Sequence, residues 1–131
     1  MNPRDVQIRA ACWHALPVTL RLPLKFGHET LTSVVCARVC VTVEKADGTR
    51  AEGWGETPLS VQWVWPSPVA YAVRLKALQD FCNMLTEAYA SYPVRGHAIG
   101  IMQGQIERRA ADQRGERGNR DALGQTGVEF L

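Results

Sequence analysis

Two stretches of strict apolar–polar alternation limit what this chain can fold into. In the first, Leu16, Val18, Leu20, Leu22 and Leu24 alternate with Pro17, Thr19, Arg21, Pro23 and Lys25. In the second, within Thr32 to Lys45, Val35, Ala37, Val39, Val41 and Val43 alternate with Cys36, Arg38, Cys40, Thr42 and Glu44. A period of two puts successive side chains on opposite faces of a strand, so both stretches read as half-buried β-strands. Pro17 and Pro23 have no N–H to give a ladder, which makes the first an edge strand, or an extended loop from Pro23. The run Val6 to His14 also alternates, and either pairs with the first stretch or is continuous with it.

Asp47-Gly48 is the dipeptide favoured in tight hairpins, whose central residues both need positive φ, and Arg50 to Glu56 then returns as a third strand. Ser67-Pro68 reads as a helix start, with Ser67 as N-cap and Pro68 at the first helical position. Tyr71, Leu75, Leu78, Phe81 or Cys82, Leu85 and Ala88 or Tyr89 form one stripe at helical spacing up to Ser91, and Pro93 stops the helix. The fold class expected is α+β: a three-stranded antiparallel meander, a long helix and a short helical segment. Residues 1–94 form the domain. In residues 95–131 Ile99, Met102 and Ile106 mark a short helix, and the arginine- and glycine-rich stretch from Arg108 to Gly127 reads as a solvated, disordered tail that ends in Val128, Phe130 and Leu131.

A chain of 131 residues is one domain by length. No apolar run approaches the roughly 18 residues of a membrane span, and MNPRDVQIRA has no secretory h-region, so a cytoplasmic location is expected. The net charge of +2 comes from bases and acids spread along the chain, which does not favour nucleic acid. Cys12, Cys36, Cys40 and Cys82 lack metal-ligand spacing. Cys36 and Cys40 on one strand are about 13 Å apart, too far to bridge each other. Reduced, half-buried thiols follow.

Catalytic signatures are sparse. There is no GxSxG elbow, and Gly53-Trp54-Gly55 lacks the third glycine and the following helix of a phosphate loop. The two glycines instead give Trp54 room to pack, or let the strand bend. His14 and His97 read as structural. His28 lies in a turn with Phe26, Gly27, Glu29 and Thr30, a place where polar groups meet ligands. Glu29 and Glu56 are carboxylates at strand ends, and nothing in the sequence brings them together.

The segment from Gly48 to Pro68 holds Trp54, Trp63 and Trp65, three of the four tryptophans. A Trp ring buries about 150 to 250 Å², worth up to about 4 to 6 kcal/mol at 25 cal/mol/Å². Trp63 and Trp65 therefore either pack under their own domain or form a lid over a ligand or partner. Their two-residue spacing puts both rings on one side of an extended segment.

The runs LPLKFGHETLT, VVCARVCVTVEKADGTRAEGWGETPLS and WVWPSP, followed by a long helix, resemble the N-terminal capping domain of the enolase superfamily, in particular its mandelate racemase and muconate lactonizing enzyme branch. The likeness spans about residues 16–92. It rests on FG-x-x-TLT before the second strand and DG-x-x-x-x-GWGE-x-P after the hairpin. The resemblance implies a three-stranded sheet packed on helices, with two substrate-sorting loops closing over a (β/α)8-like barrel. The first loop matches Phe26, Gly27, His28, Glu29 and Thr30. The second matches the segment from Pro58 to Trp65 and contains Leu59, Ser60, Trp63 and Trp65.

In that family a Lys or His base and three carboxylates holding Mg²⁺ sit on barrel strands. None of those positions matches here, so the expectation is a cap lacking its barrel, as truncation, frameshift or recombination would leave it. It carries no catalytic residue, metal ligand or cofactor of its own, and is inactive alone. The alternative is a small binding or interaction module that uses the tryptophan loop as an aromatic platform. If the domain is built to pack on a barrel, it exposes an apolar patch and self-associates. Size-exclusion elution should then shift to larger species as concentration rises, and a concentration-independent monomer would argue for a free-standing module.

Overall fold

A computed structural model of the chain describes residues 2–125, with burial and contacts to residue 115. Three strands, β1 (Val6–Phe26), β2 (Glu29–Lys45) and β3 (Arg50–Pro58), form one antiparallel sheet in the order β1-β2-β3. A single helical turn, α1 (Val61–Val64), and two long helices, α2 (Tyr71–Ala90) and α3 (Ala98–Gln125), follow. This is the expected α+β meander. The two N-terminal alternating runs are one continuous strand, and β1 lies at the sheet edge, where Pro17 and Pro23 cost no central ladder bond.

Cross-strand partners share a face, so the register sorts the side chains. Trp13, Val39 and Gly55 lie in one row across the sheet. This face meets α2, where the Trp13 indole N–H donates to Asn83 Oδ1 at 2.7 Å. Cys12, Cys40 and Trp54 form the neighbouring row, and His14, Arg38 and Glu56 the next, on the opposite, open face. Trp54 gains no packing pocket from its flanking glycines. It is 61% exposed, its ring stacked on His14 at 6.5 Å, and a Cβ on Gly53 or Gly55 would meet open space.

The leucine row of β1 does not stay on one face. Between Thr19↔Ser33 and Leu24↔Leu31 the register shifts by an odd number of residues. Leu16 and Val18 therefore stand on the open face, while Leu24 and Phe26 turn to the helix side. The strand takes up the extra residues at Leu20 to Pro23, and Leu22 is left in solvent.

Both hairpins are decided by glycine. Phe26 pairs with Glu29 across Gly27-His28, and Gly27 alone has positive φ, +61°, the type II′ pattern that Gly at the first central position permits. The β2–β3 turn differs from the expected two-residue form, because Asp47 keeps negative φ and only Gly48 is positive, at +83°. Gly48 N–H donates to Lys45 O at 3.1 Å and Lys45 N–H to Thr49 O at 2.9 Å, a three-residue loop with a glycine bulge. The Thr49 N–H, donating to Asp47 Oδ1 at 2.8 Å, stabilises that geometry and holds the Asp47 carboxyl below its ordinary range.

Helix α2 begins at Tyr71 with Ala70 as its cap residue, later than Ser67-Pro68 suggests. The Ser67 hydroxyl accepts from Val69 N–H at 3.2 Å and closes a local turn instead of capping the helix. Its inward stripe runs through Leu75, Leu78, Cys82 and Leu85, whereas Tyr71 and Phe81 are exposed.

The short helix marked by Ile99, Met102 and Ile106 is the start of one long helix, Ala98–Gln125, which continues into the arginine- and glycine-rich stretch expected to be disordered; Val128, Phe130 and Leu131 lie outside the described residues. Its inward positions are not the apolar ones read from sequence. Ile99, Met102 and Ile106 face solvent, and Ile101 and Gln105 are buried. Gln105 Nε2 donates to Ala88 O and Arg109 Nη2 to Met84 O, each at 2.9 Å, with Arg109 also over the Phe81 ring. The helix docks through polar side chains that use carbonyls of α2, which hydropathy does not register.

The open end of the sheet is tied by charge. Glu44 accepts from Arg9 and from Arg50, each at 2.7 Å, and Arg95 donates to the Glu44 backbone carbonyl at 2.9 Å. The hydrogen bonds from Arg9 first, then Arg50, hold the Glu44 carboxyl below the usual carboxylate range. A depressed folded-state value stabilises the fold above the unfolded value of about 4.3, and that contribution fades as pH falls through the lower folded value. Glu44→Gln should therefore be less stable than the parent near neutrality. The gap should close in urea titrations below about pH 4; a pH-independent gap would refute this role.

Candidate functional site

The turn between β1 and β2 and the loop around α1 are distant in sequence, yet a single buried side chain joins them. Arg74, in the first turns of α2, is 4% exposed. Its Nη1 donates to the Trp65 carbonyl at 2.9 Å, and its Nη2 lies 3.6 Å from Glu29 Oε1. Nε has no partner. A guanidinium cannot shed its proton, so burying it requires acceptors, and here these come from both loops.

Residues Leu59 and Val61 seat the second loop. Leu59 N–H donates to Val35 O at 2.8 Å, extending the sheet pattern past Pro58, and the Leu59 side chain is buried. Val61 is fully buried. Trp63, Val64 and Trp65 N–H groups then bond back to Ser60 O and Val61 O, closing one helical turn. The segment is thus not extended, and Trp63 and Trp65 do not share one side. A helical rotation of about 100° per residue turns the rings apart.

Neither tryptophan is in a core of the chain. Trp63 is 73% exposed and Trp65 39% exposed. The Trp63 ring meets Phe26 edge to face at 5.6 Å, the arrangement favoured by opposed ring quadrupoles. Around that pair Leu24, Leu31, Ser60 and Gln62 line a hollow of about 160 Å³. A second, more polar hollow of about 390 Å³ adjoins it through Leu31 and Gln62, walled by Glu29, Thr30, Thr32, Ser33 and Tyr71.

Of the residues singled out from sequence, Phe26, Glu29, Thr30, Ser60 and Trp63 thus share one continuous surface. Leu59 anchors it from beneath. Trp65 takes part through its carbonyl on Arg74, and His28 stands exposed at the tip of the turn. Glu29 and Glu56 do not form an acid–base pair: Glu29 is beside Arg74, whereas Glu56 accepts from Arg38 at 2.7 Å on the open face. Sequence reading missed Arg74, for which an arginine in the apolar stripe of α2 was the available signal; Gln62 lay within the segment matched to the second loop but was not singled out as a candidate.

The surface pairs an aromatic wall with a row of hydroxyls and one carboxylate, suited to holding a polar ligand against apolar faces. It has no nucleophile–base pair. Among the described residues no three His, Cys, Asp or Glu side chains converge to hold a cation. No helix among them is long and apolar enough to cross a membrane. No protein-family model, curated protein or solved structure matches the chain.

The two Arg74 contacts are unequal. Arg74→Met keeps the apolar stem and removes the bond to Trp65 O, and should cost about 1 to 3 kcal/mol in urea unfolding with a red-shifted Trp emission. Glu29→Gln touches a half-exposed, longer contact and should cost less than about 1 kcal/mol. The reverse order would show that the ion pair, not the carbonyl bond, holds the loops.

Proposed function

We propose that residues 16–92 are a substrate-sorting cap of a Mg²⁺-dependent enzyme of the enolase superfamily, of the acid-sugar dehydratase, racemase or cycloisomerase type. The observation that carries this reading is the Arg74 bridge. It supports the reading because the two segments that match the family's sorting loops form one surface, with Trp63 largely uncovered.

In this reading the cap closes on a (β/α)8-like barrel that supplies the base and the Mg²⁺ site. The metal's chemistry there is stabilisation of an enediolate formed beside a substrate carboxylate. Among the described residues no side-chain cluster fits a metal site. Their part is to exclude water and to grade substrates by shape. Phe26 and Trp63 form an apolar wall, and Glu29, Thr30 and Ser60 offer hydrogen bonds to hydroxyls of the bound molecule. A cytoplasmic setting is part of the reading, supported by four cysteines that stand as free thiols.

The exposure of Trp63 also favours a second reading, a free-standing binding module with an aromatic platform. Titration of the purified chain with a panel of acid sugars, followed by Trp fluorescence and by a turnover assay with Mg²⁺, separates the two. The cap reading expects neither turnover nor saturable binding, since the barrel holds the rest of the site. Saturable binding that Trp63→Ala abolishes would establish the module instead, and turnover that tracks the pure chain would overturn both.

A further inference from the structure

Apart from the loops, the open face of the sheet brings together two cysteines that sequence spacing keeps apart. Cys12 on β1 and Cys40 on β2 are direct cross-strand partners. Directly opposed Cα atoms of an antiparallel pair are about 4.5 or 5.5 Å apart, and a disulfide spans about 4.4 to 6.8 Å. Cys36, by contrast, pairs with Leu16 and Pro58, and Cys82 lies on α2 across the sheet.

The surroundings distinguish the two sulfurs. Cys12 is exposed and its Sγ lies 3.9 Å from His14 Nε2, a ring fixed by its stack on Trp54. Cys40 is buried between Cys12 and Trp54, its partners on the flanking strands. Burial above all, with the Glu52 carboxylate and Cys12 adding to it, pushes the Cys40 thiol up, so it stays protonated and does not react first.

We propose that Cys12 and Cys40 are a reversible modification site, a dithiol that a small-molecule disulfide converts to a cross-strand disulfide in the folded chain. Cys12 gives its proton to His14 or water, and its thiolate attacks one sulfur of the small disulfide. That forms a mixed disulfide and releases one small thiolate. Cys40 then loses its proton and attacks Cys12 Sγ, closing the bridge and releasing the second thiolate. The chain gives up two protons and two electrons; the co-reactant is reduced to two thiols, and excess small thiol reverses the exchange. The bridge clamps the edge strand to the central one beside the hollow lined by Arg38, Trp54, Gly55 and Glu56.

The test uses the full folded chain and oxidised glutathione. Free thiols should fall from the four present to two, with no retained glutathione, and peptide mapping should join Cys12 to Cys40. Cys40→Ser should instead hold glutathione on Cys12, and Cys12→Ser should form no bridge. The urea midpoint of the bridged parent should rise and return on adding dithiothreitol. A wild-type chain that keeps all its thiols, retains glutathione on Cys12, or links Cys36 or Cys82 would overturn the proposal. Because the mapping is made on the parent chain, it stands whether or not a variant folds.

Discussion

The buried guanidinium of Arg74 is the interaction on which the arrangement of the loops depends. Its desolvation is unfavourable by several kcal/mol unless acceptors surround it. Among the described residues two meet it, the Trp65 carbonyl and the Glu29 carboxylate, and each belongs to a different connection. The loops are therefore not positioned by loop–loop packing alone. They are drawn to one point on α2, and α2 is itself placed by its stripe against β1. Among the described residues Arg74 Nε has no hydrogen-bond partner.

That anchoring explains why large apolar side chains can stay in water here. Beneath the loop, Leu59 and Val61 are buried and continue the hydrogen-bonding of β2, so the segment is fixed even though Trp63 is not. A tryptophan on a mobile loop would fold onto the nearest apolar surface. On a pinned helical turn it remains presented, with only the edge of Phe26 against it. The same separation of fixed backbone and free side chain is what a surface that meets a ligand or a partner domain requires.

The sheet has a second kind of asymmetry. One face is covered by α2, and the other carries Cys12, His14, Arg38, Cys40, Trp54 and Glu56 in two adjacent rows. Burial on that face comes from neighbours within the sheet rather than from a second layer, and the small thiols of Cys36 and Cys40 suit it. Ion pairs, Arg38 with Glu56 and Arg9 and Arg50 with Glu44, close its rim. Exposed pairs of this kind contribute little individually, and the shared Glu44 contributes more because two arginines meet one half-buried carboxylate.

The alternation in β1 and β2, the hairpin glycines and the periodicity of α2 were legible because each is a local pattern. Period, turn geometry and helical stripe act over a few residues, so the meander and its following helix could be read directly from the chain. The helix start at Tyr71 and the Gly48 bulge were misplaced because a local hydrogen bond, Ser67 to Val69 in one case and Asp47 to Thr49 in the other, competed with the expected geometry. The start of helix α3 was legible, but its length and inward face were not, since Gln105 and Arg109 dock it through carbonyls, a contact without an apolar signature. The sequence by itself determined that this chain forms an antiparallel meander with a helix on one face, because hydrophobic period is a one-dimensional property. Only the tertiary structure decided that Arg74 joins the two loops and that Cys12 faces Cys40, since register and helix placement are set by burial across the whole domain.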